Sequence, residues 1–196
     1  EVLVRTPAEA AAAARRIRYP VALKACAAGE AHKTEKGLVA LGLAGERELR
    51  AAYDTLRARA GRSPRGGFLV QEMVRGSREL AIGMVRDPQF GACVMFGLGG
   101  IFTEILQDAA FRVAPLGRRD ALEMLDAIRG RQILEAVRGL PAVDREALGR
   151  SLVAVGRIGL DHPDIAAIDV NPLIVRDATP VAVDALVVLA PAAPAA

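Results

Sequence analysis

Asn171 and Asp184 are the residues whose type and spacing most directly suggest chemistry. An apolar segment beginning at Asp169 predicts a strand, a turn is predicted at Asp177 and Ala178, and the returning strand contains Asp184. In an antiparallel hairpin, the residue numbers of every opposed pair add up to the same value. With the turn centred on Asp177 and Ala178, Asn171 therefore lies opposite Asp184. Opposed residues have Cβ atoms about 4.5–5.5 Å apart, so the amide and carboxylate oxygens could bind one Mg²⁺, with phosphates and waters completing its octahedron.

Asp169 extends this candidate site, because strand alternation puts it on the same face as Asn171, two residues later. There it could support the metal or a phosphoryl group in transfer. The alternative is structural: Asn171 and Pro172 form only a turn, and Asp184 is a solvated strand end. A shift of one residue in the register would separate the pair, so both interpretations stay open on pattern alone.

Lys24, His32 and a glycine-rich segment are further candidates. Lys24 ends a short apolar strand, where its long cationic side chain could reach phosphates; a surface lysine is the alternative. His32 follows in a polar loop, and a neutral imidazole can attack a phosphoryl group, although it could equally cap a carbonyl. The FGLGG segment at 96–100 could offer backbone N–H groups to an anion or form only a tight turn.

The elements that must position these residues mix helices with antiparallel strands, which favours an α+β fold. Thr6, Pro7 and Glu9 form a helix-start signal, and apolar spacing of period 3.6 indicates later helices. Helices are predicted at about 7–18, 46–60, 118–129 and 144–160, and strands at 20–25, 38–43, 68–73, 102–107 and 111–116, with a hairpin at 78–96 and the hairpin of Asn171. The last residues, 191–196, are predicted to be a disordered tail.

Composition excludes several classes of function. The net charge is +3, aromatic residues make up 4% and there is no Trp, which disfavours nucleic-acid binding. Two cysteines without CxxC spacing do not predict a disulfide framework. No apolar run approaches the length of a membrane span, and no secretion signal is seen. A cytoplasmic protein is the simplest expectation, and the missing initiator Met suggests a segment of a longer chain.

Six motifs occur in an order that resembles the ATP-grasp domain of ADP-forming acyl-CoA synthetases and, more distantly, the β subunit of succinyl-CoA synthetase. They are YPVALK at 19–24, HKTEKG at 32–37, FLVQEMVRGSRELAIGMVRDPQFG at 68–91, VMFGLGGIFTEIL at 94–106, FRVAPL at 111–116 and DVNPLIV at 169–175. The resemblance implies an ATP-grasp fold of two α+β lobes, about 1–73 and 74–190, which hold a nucleotide between antiparallel sheets.

The resemblance also implies roles for individual residues. Lys24 would contact ATP phosphates, the segment Gln71, Glu72 and Met73 would form the hinge that meets adenine and ribose, and Glu79 would line the nucleotide site. Asn171 and Asp184 would bind Mg²⁺. His32 would carry phosphate between distant sites. His32 is therefore one candidate catalytic residue, and Asp169, placed beside Asn171 by strand alternation, is the other.

The loop around His32 departs from the family pattern. Relatives usually have a small apolar residue and a second glycine where this chain has Lys36 and Leu38. Glycine permits backbone conformations that leucine does not, which predicts a stiffer or differently shaped loop.

The resemblance implies part of a ligase that converts acid, CoA and ATP into acyl-CoA, ADP and phosphate through phosphohistidine. No CoA-binding Rossmann segment lies in these 196 residues. The chain is therefore expected to need a partner domain or subunit that binds CoA and carries the principal phosphohistidine. One alternative is a regulatory acyl-CoA-synthetase-like domain of a GNAT-type protein lysine acetyltransferase. Another is an ATP-grasp ligase that joins a carboxylate to an amine.

Overall fold

The chain folds into two compact units, Glu1–Met73 and Val74–Ala196, in a computed structural model. The structure describes residues 1–26, 37–60, 66–100 and 107–191. Each unit has its own sheet, and every pair of neighbouring strands is antiparallel. The predicted α+β class is therefore confirmed. The assignment of a nucleotide-binding lobe and a metal-binding lobe to these units stays a prediction.

Unit 1 contains a four-stranded sheet in the order β1-β4-β2-β3. Its strands are β1 (Val2–Val4), β2 (Val21–Ala25), β3 (Val39–Leu43) and β4 (Phe68–Glu72), and its helices are α1 (Pro7–Ile17) and α2 (Glu46–Arg59). The core lies on one sheet face. There Leu23, Phe68 and Val70 pack with the apolar faces of both helices.

Local signals explain the helices of unit 1. Thr6 Oγ1 accepts a hydrogen bond from the backbone N–H of Glu9 at 3.2 Å, as the capping pattern predicts. Helix α2 buries Leu49, Tyr53 and Leu56 at helical spacing. The Tyr53 ring packs against Phe68 with centroids 4.3 Å apart.

Unit 2 contains a six-stranded sheet in the order β10-β8-β5-β6-β7, with β9 also paired to β8. Its strands are β5 (Glu79–Asp87), β6 (Gly91–Leu98), β7 (Ala109–Val113), β8 (Ile165–Arg176), β9 (Thr179–Ala182) and β10 (Leu186–Leu189). Helices α3 (Arg118–Ala127) and α4 (Arg145–Asp161) lie along one face, and a short 3₁₀ helix (Arg131–Leu134) joins them.

The core of unit 2 is built from alternate residues of its strands, including Leu80, Ile82, Val94 and Phe96, packed against both helices. Arg86 fixes the end of α4, because its guanidinium donates to the carbonyls of Gly159, His162 and Ile165 at 2.7–2.9 Å. This positions α4 over the sheet, on the face that α3 also covers.

Three elements differ from the sequence-based predictions. β1 forms a strand of three residues that pairs with β4, whereas no strand was predicted there. The returning strand after Asp177 is divided into β9 and β10. The 3₁₀ helix was not predicted. Nearly all of the strand predicted at 102–107, and most of the predicted tail, lie outside the described residues. No helix among the described ranges has the length and apolar character needed to cross a membrane.

Candidate functional site

The hairpin that carries Asn171 and Asp184 has the predicted register. Leu173 pairs with Ala182 on one side of these residues, and Asp169 pairs with Leu186 on the other. These pairs share the predicted constant sum of residue numbers. The N–H of Val183 also donates to the carbonyl of Pro172 at 3.2 Å, so Asn171 and Asp184 are the next opposed positions.

β8 contains a bulge at Asn171 and Pro172. Against β5, Val170 pairs with Ile82 and Leu173 pairs with Leu80, so two residues of β8 lie opposite one residue of β5. Bulges commonly re-aim a side chain beside a functional site.

The bulge limits the alternation argument for Asp169. Ile168 is buried before the bulge and Leu173 after it, so inward-facing positions change from even to odd numbers. A face shared by Asp169 and Asn171 therefore cannot be derived from spacing and stays a prediction. Asp169 itself is exposed, at the register position opposite Gly83.

Asn171 lies next to the end of the glycine-rich segment. Its Oδ1 accepts a hydrogen bond from the N–H of Gly100 at 3.4 Å, and the N–H of Gly99 donates to the carbonyl of Glu79 at 2.8 Å. Asn171, Gly100 and Glu79, which are far apart in the sequence, therefore meet at one end of the sheet.

Close approach explains both glycines. A Cβ at Gly99 would lie 2.5 Å from the carbonyl oxygen of Leu80, and a Cβ at Gly100 would collide with Oε2 of Glu79. Gly100 also has φ +61°, which side-chain-bearing residues rarely adopt. Glycine thus lets this segment cross the start of β5 in contact with Glu79.

The donor set at Asn171 and Asp184 fits Mg²⁺. Both residues are partly buried and offer an amide and a carboxylate oxygen at opposed register positions. No cluster of three or more His, Cys, Asp or Glu side chains that could bind a metal occurs within the described part of the chain. Mg²⁺ is typically bound through one or two carboxylates together with substrate phosphates and waters, so two protein ligands suit this ion better than a cage.

Lys24 is one of three buried polar or charged residues among those described, with 6% of its surface exposed. Its neighbours Leu23 and Ala25 lie in the helix-side core of unit 1, so alternation directs Lys24 to the opposite face of the sheet. A buried lysine requires a partner for its charge. The surface-lysine alternative is therefore excluded, whereas the proposed contact with phosphate stays a prediction.

The predicted hinge segment consists of Gln71 and Glu72, the last two residues of β4, and Met73 directly after the strand. Gln71 donates a side-chain hydrogen bond to the carboxylate of Glu1, Glu72 pairs with Val21, and the N–H of Met73 donates to the carbonyl of Pro20 at 3.3 Å. The segment ends unit 1. Its backbone is thus held by the start of β2, and its contact with adenine and ribose stays a prediction.

His32 and Lys36 lie outside the described residues. Leu38, where the resemblance predicts a glycine, is 4% exposed and belongs to the core of unit 1. Packing of this side chain gives a physical reason for the departure.

Two further charged residues, Arg78 and Asp108, are buried, and the sequence alone did not predict this. Arg78, 5% exposed, donates to four backbone carbonyls, those of Ile133, Glu135, Pro141 and Asp177, at 2.8–3.3 Å. Its place directly before Glu79 was visible in the sequence, but no local pattern distinguishes a buried arginine from a surface one.

Asp108, 8% exposed, accepts hydrogen bonds from the N–H groups of Arg129 and Gly130 at 2.8 and 2.6 Å. Burial raises the pKa of Asp108, but these N–H groups and the nearby Arg129 guanidinium outweigh it and hold the pKa below its ordinary value. Asp108 thus ties the start of β7 to the end of α3.

The family model described as an ATP-grasp domain matches residues 1–189. The chain belongs to the ATP-grasp domain family. Among its relatives, the β subunit of acetate–CoA ligase (ADP-forming) I from Pyrococcus furiosus is 40% identical over 191 residues, which cover 95% of this chain and 82% of that protein. The acetate–CoA ligase (ADP-forming) I of Archaeoglobus fulgidus is also 40% identical over 95% of this chain. The ATP-grasp chain spans only 28% of that longer protein.

Solved structures show the same fold at high similarity. The dinucleotide-forming acetyl-coenzyme A synthetase 1 of Ca. Korarchaeum cryptofilum, in complex with coenzyme A, Ca-AMPCP and HgCl⁺, matches with a TM-score of 0.90 and 39% identity over 96% of this chain and 84% of that one. A complex of that protein with coenzyme A and Mg-AMPPCP, described with its phosphohistidine segment pointing towards the nucleotide binding site, matches with a TM-score of 0.81 at the same identity and coverage. These matches agree with the ATP-grasp fold that the motifs predicted.

Proposed function

We propose that this chain is the nucleotide-binding domain of an ADP-forming acyl-CoA synthetase, which converts acid, CoA and ATP into acyl-CoA, ADP and phosphate. The observation that carries the proposal is the placement of Asn171 opposite Asp184, with Glu79 and Gly100 beside Asn171, in an ATP-grasp domain. The names of the ligase and synthetase relatives support the same reaction.

In this proposal, Asn171 and Asp184 hold Mg²⁺, which would neutralise phosphate charge when a nucleotide is bound. Lys24 contributes a further positive charge to the phosphates, and its burial strengthens that electrostatic contribution. Gln71, Glu72 and Met73 contact adenine and ribose. Glu79 borders the nucleotide, and its carboxylate lies directly beside Gly100. Asp169 supports the metal or the phosphoryl group in transfer.

We also propose that the chain acts with a CoA-binding domain or subunit that carries the principal phosphohistidine. The single-chain relative from Archaeoglobus fulgidus is much longer than this chain, and the relative from Pyrococcus furiosus is named as one subunit of a ligase. His32 then passes phosphate between that part and the nucleotide. The relatives named above give no support to the alternative of a regulatory domain in a GNAT-type acetyltransferase.

The nucleotide proposal is tested by calorimetric titration of the chain with Mg-ADP and Mg-ATP. Asn171→Ala and Asp184→Ala should each weaken binding at least about tenfold, which corresponds to about 1.4 kcal/mol. Asp161→Ala, which removes an exposed carboxylate at the end of α4, serves as the control and should bind as the wild type does. Wild-type protein that binds neither nucleotide would refute the proposal.

The role of His32 needs a separate experiment. The complete ligase is incubated with γ-labelled ATP, and the protein label should be acid-labile and base-stable, as phosphohistidine is. His32→Ala should reduce the label on this chain. An unchanged label in this variant would remove His32 from the phosphate transfer.

A further inference from the structure

The last part of β8, beyond its bulge, is joined to β5 by two register pairs, Leu80 with Leu173 and Glu79 with Ile174. β5 begins at Glu79, whereas β8 continues into the turn that leads to β9. A bulge locally disrupts the hydrogen-bond ladder between strands. The hairpin that carries the candidate metal ligands therefore depends on further contacts to stay in place against β5.

Arg78, the residue directly before β5, supplies such contacts. Its carbonyl accepts a hydrogen bond from the N–H of Val175 at 2.9 Å. Its guanidinium donates to the carbonyl of Asp177, in the β8–β9 turn, also at 2.9 Å. The same guanidinium donates to three carbonyls of the segment between α3 and α4. Arg78 thus joins the end of β8, and the turn after it, to that segment.

Gly76 packs against the same part of β8. A Cβ at Gly76 would collide with the carbonyl oxygen of Val175 and would lie 2.6 Å from Cγ2 of Ile174. A side chain at this position would therefore force the segment 76–78 away from β8. The close backbone contact of Gly76 and the hydrogen bonds of Arg78 are independent of each other, and both hold β8 at Val175.

Core packing does not by itself locate the turn after β8. Val175 is buried, so burial opposes a shift of β8 by one residue. β9, in contrast, contains no buried residue. The two carbonyls of the turn are held by hydrogen bonds, that of Asp177 by Arg78 and that of Ala178 by the N–H of Asp144 at 2.8 Å. The place of the hairpin relative to β5 therefore depends on Arg78.

We propose that Arg78 is a positioning residue for the binding of Mg²⁺ and nucleotide, an inference that rests on the proposed function. Arg78 holds the hairpin of Asn171 and Asp184 against the start of β5, where Glu79 borders the nucleotide. Val175 lies four residues beyond Asn171, roughly 13 Å along the strand at about 3.3 Å per residue. Arg78 therefore acts through β8 and not by contact with the metal.

Calorimetric titration of the chain with ADP, with and without Mg²⁺, tests this role. Arg78→Lys keeps the charge but presents its donors from a single nitrogen. It should weaken Mg-ADP binding at least about fivefold, the lower end of typical couplings between sites, and should leave the weaker binding of metal-free ADP unchanged. Leu125→Ala, which removes a fully buried side chain of α3, destabilises unit 2 without removing a hydrogen bond of the hairpin. It should bind both forms of ADP as the wild type does.

A double-mutant cycle shows whether the effect passes through the metal ligands. In an Asp184→Ala background, Arg78→Lys should change Mg-ADP binding by less than about twofold, because its effect requires the ligand that is missing. Effects of the two substitutions that multiply would show that Arg78 acts independently of Asp184, and the proposal would fail. Binding of Mg-ADP by Arg78→Lys at the wild-type affinity would also overturn it.

Hydrogen exchange in the wild-type chain gives a test that needs no variant and applies even if Arg78→Lys does not fold. Coupling between two sites is reciprocal, so Mg-ADP should slow exchange at the Val175 amide at least about twofold more than metal-free ADP does. The Val94 amide, on β6, should show no such difference. Equal protection of Val175 by both ligands would contradict the proposal. A wild-type chain that binds no Mg-ADP would refute the proposed function itself, whereas normal binding by Arg78→Lys refutes only the role of Arg78.

Discussion

Arg78 is a buried cation that forms no ion pair with a carboxylate among the described residues, and its charge is instead distributed over four backbone carbonyls. The planar guanidinium suits this task because its donors diverge in a fixed fork. Those carbonyls belong to the segment between α3 and α4 and to the β8–β9 turn. Arg78 therefore ties both to the start of β5, directly before Glu79.

Arg78→Lys should lower the free energy of unfolding by at least about 1 kcal/mol. A lysine has three donors on a single nitrogen, so at least one buried carbonyl loses its partner, at about 1–3 kcal/mol each. Urea unfolding followed by circular dichroism gives the difference. Arg75→Lys at an exposed position three residues earlier is the control and should stay within about 0.5 kcal/mol. Equal stability of both variants would show that the carbonyl contacts of Arg78 contribute little.

Asp108 should make the stability of the chain depend on pH on the acid side. Because its folded pKa is lowered, its contribution is present above the unfolded aspartate value near 3.9 and is lost as the pH falls through the lower folded value. Asp108→Asn should be less stable than wild type by about 1–3 kcal/mol at pH 7. The difference should shrink below about pH 4, whereas Asp161→Asn should match wild type throughout. A difference independent of pH would assign the effect to packing.

At the scale of elements, local sequence signals predicted the helices and the hairpin register well. Thr6 and Pro7 marked the start of α1, and the turn at Asp177 fixed the pairing of β8 with β9. The bulge at Asn171 was not predictable, because it exists only relative to β5, which is distant in sequence. β1 was missed because three residues are too few for alternation to show. Arg78 was missed because burial depends on the segments that surround it.

Helix α4 contains two buried glycines, Gly149 and Gly159, that differ in how much space surrounds them. A Cβ at Gly149 would meet its nearest neighbour, Leu122, at 3.5 Å, an ordinary contact. Gly149→Ala should therefore stabilise the protein by up to about 1 kcal/mol through helix propensity. At Gly159 a Cβ would lie 3.0 Å from Ala92 and 3.1 Å from Met84. Gly159→Ala should accordingly destabilise the protein by about 1–2 kcal/mol.

Thermal unfolding of both variants measures this contrast. The two substitutions add the same methyl group to the same helix, so each serves as the control for the other. Stabilisation by both would mean that α4 can move away from β5 and β6 at little cost. Destabilisation by both would mean that Gly149 is also held in close contact.

At the scale of the whole molecule, the two units have separate cores that share no residue. One core is built around Leu23, Leu49 and Phe68, and the other around Ile82, Phe96 and Leu148. Both tyrosines of the chain, Tyr19 and Tyr53, lie in unit 1, and the chain contains no Trp. Tyrosine fluorescence therefore reports unfolding of unit 1 alone.

Leu23→Ala should destabilise unit 1 selectively. The side chain is fully buried in the centre of β2, and such a truncation costs about 2–5 kcal/mol through lost burial and a cavity. The tyrosine transition in urea should move to a lower concentration. Hydrogen exchange at the amides of Ile82 and Val94 should keep its protection, because their core loses no contact. Leu148→Ala, which makes the equivalent change in unit 2, should reverse the pattern. Either variant could instead lower the free energy of unfolding by the same amount in both measurements, hydrogen exchange in unit 2 and tyrosine fluorescence in unit 1. In that case the two cores unfold as one cooperative body despite their separate packing.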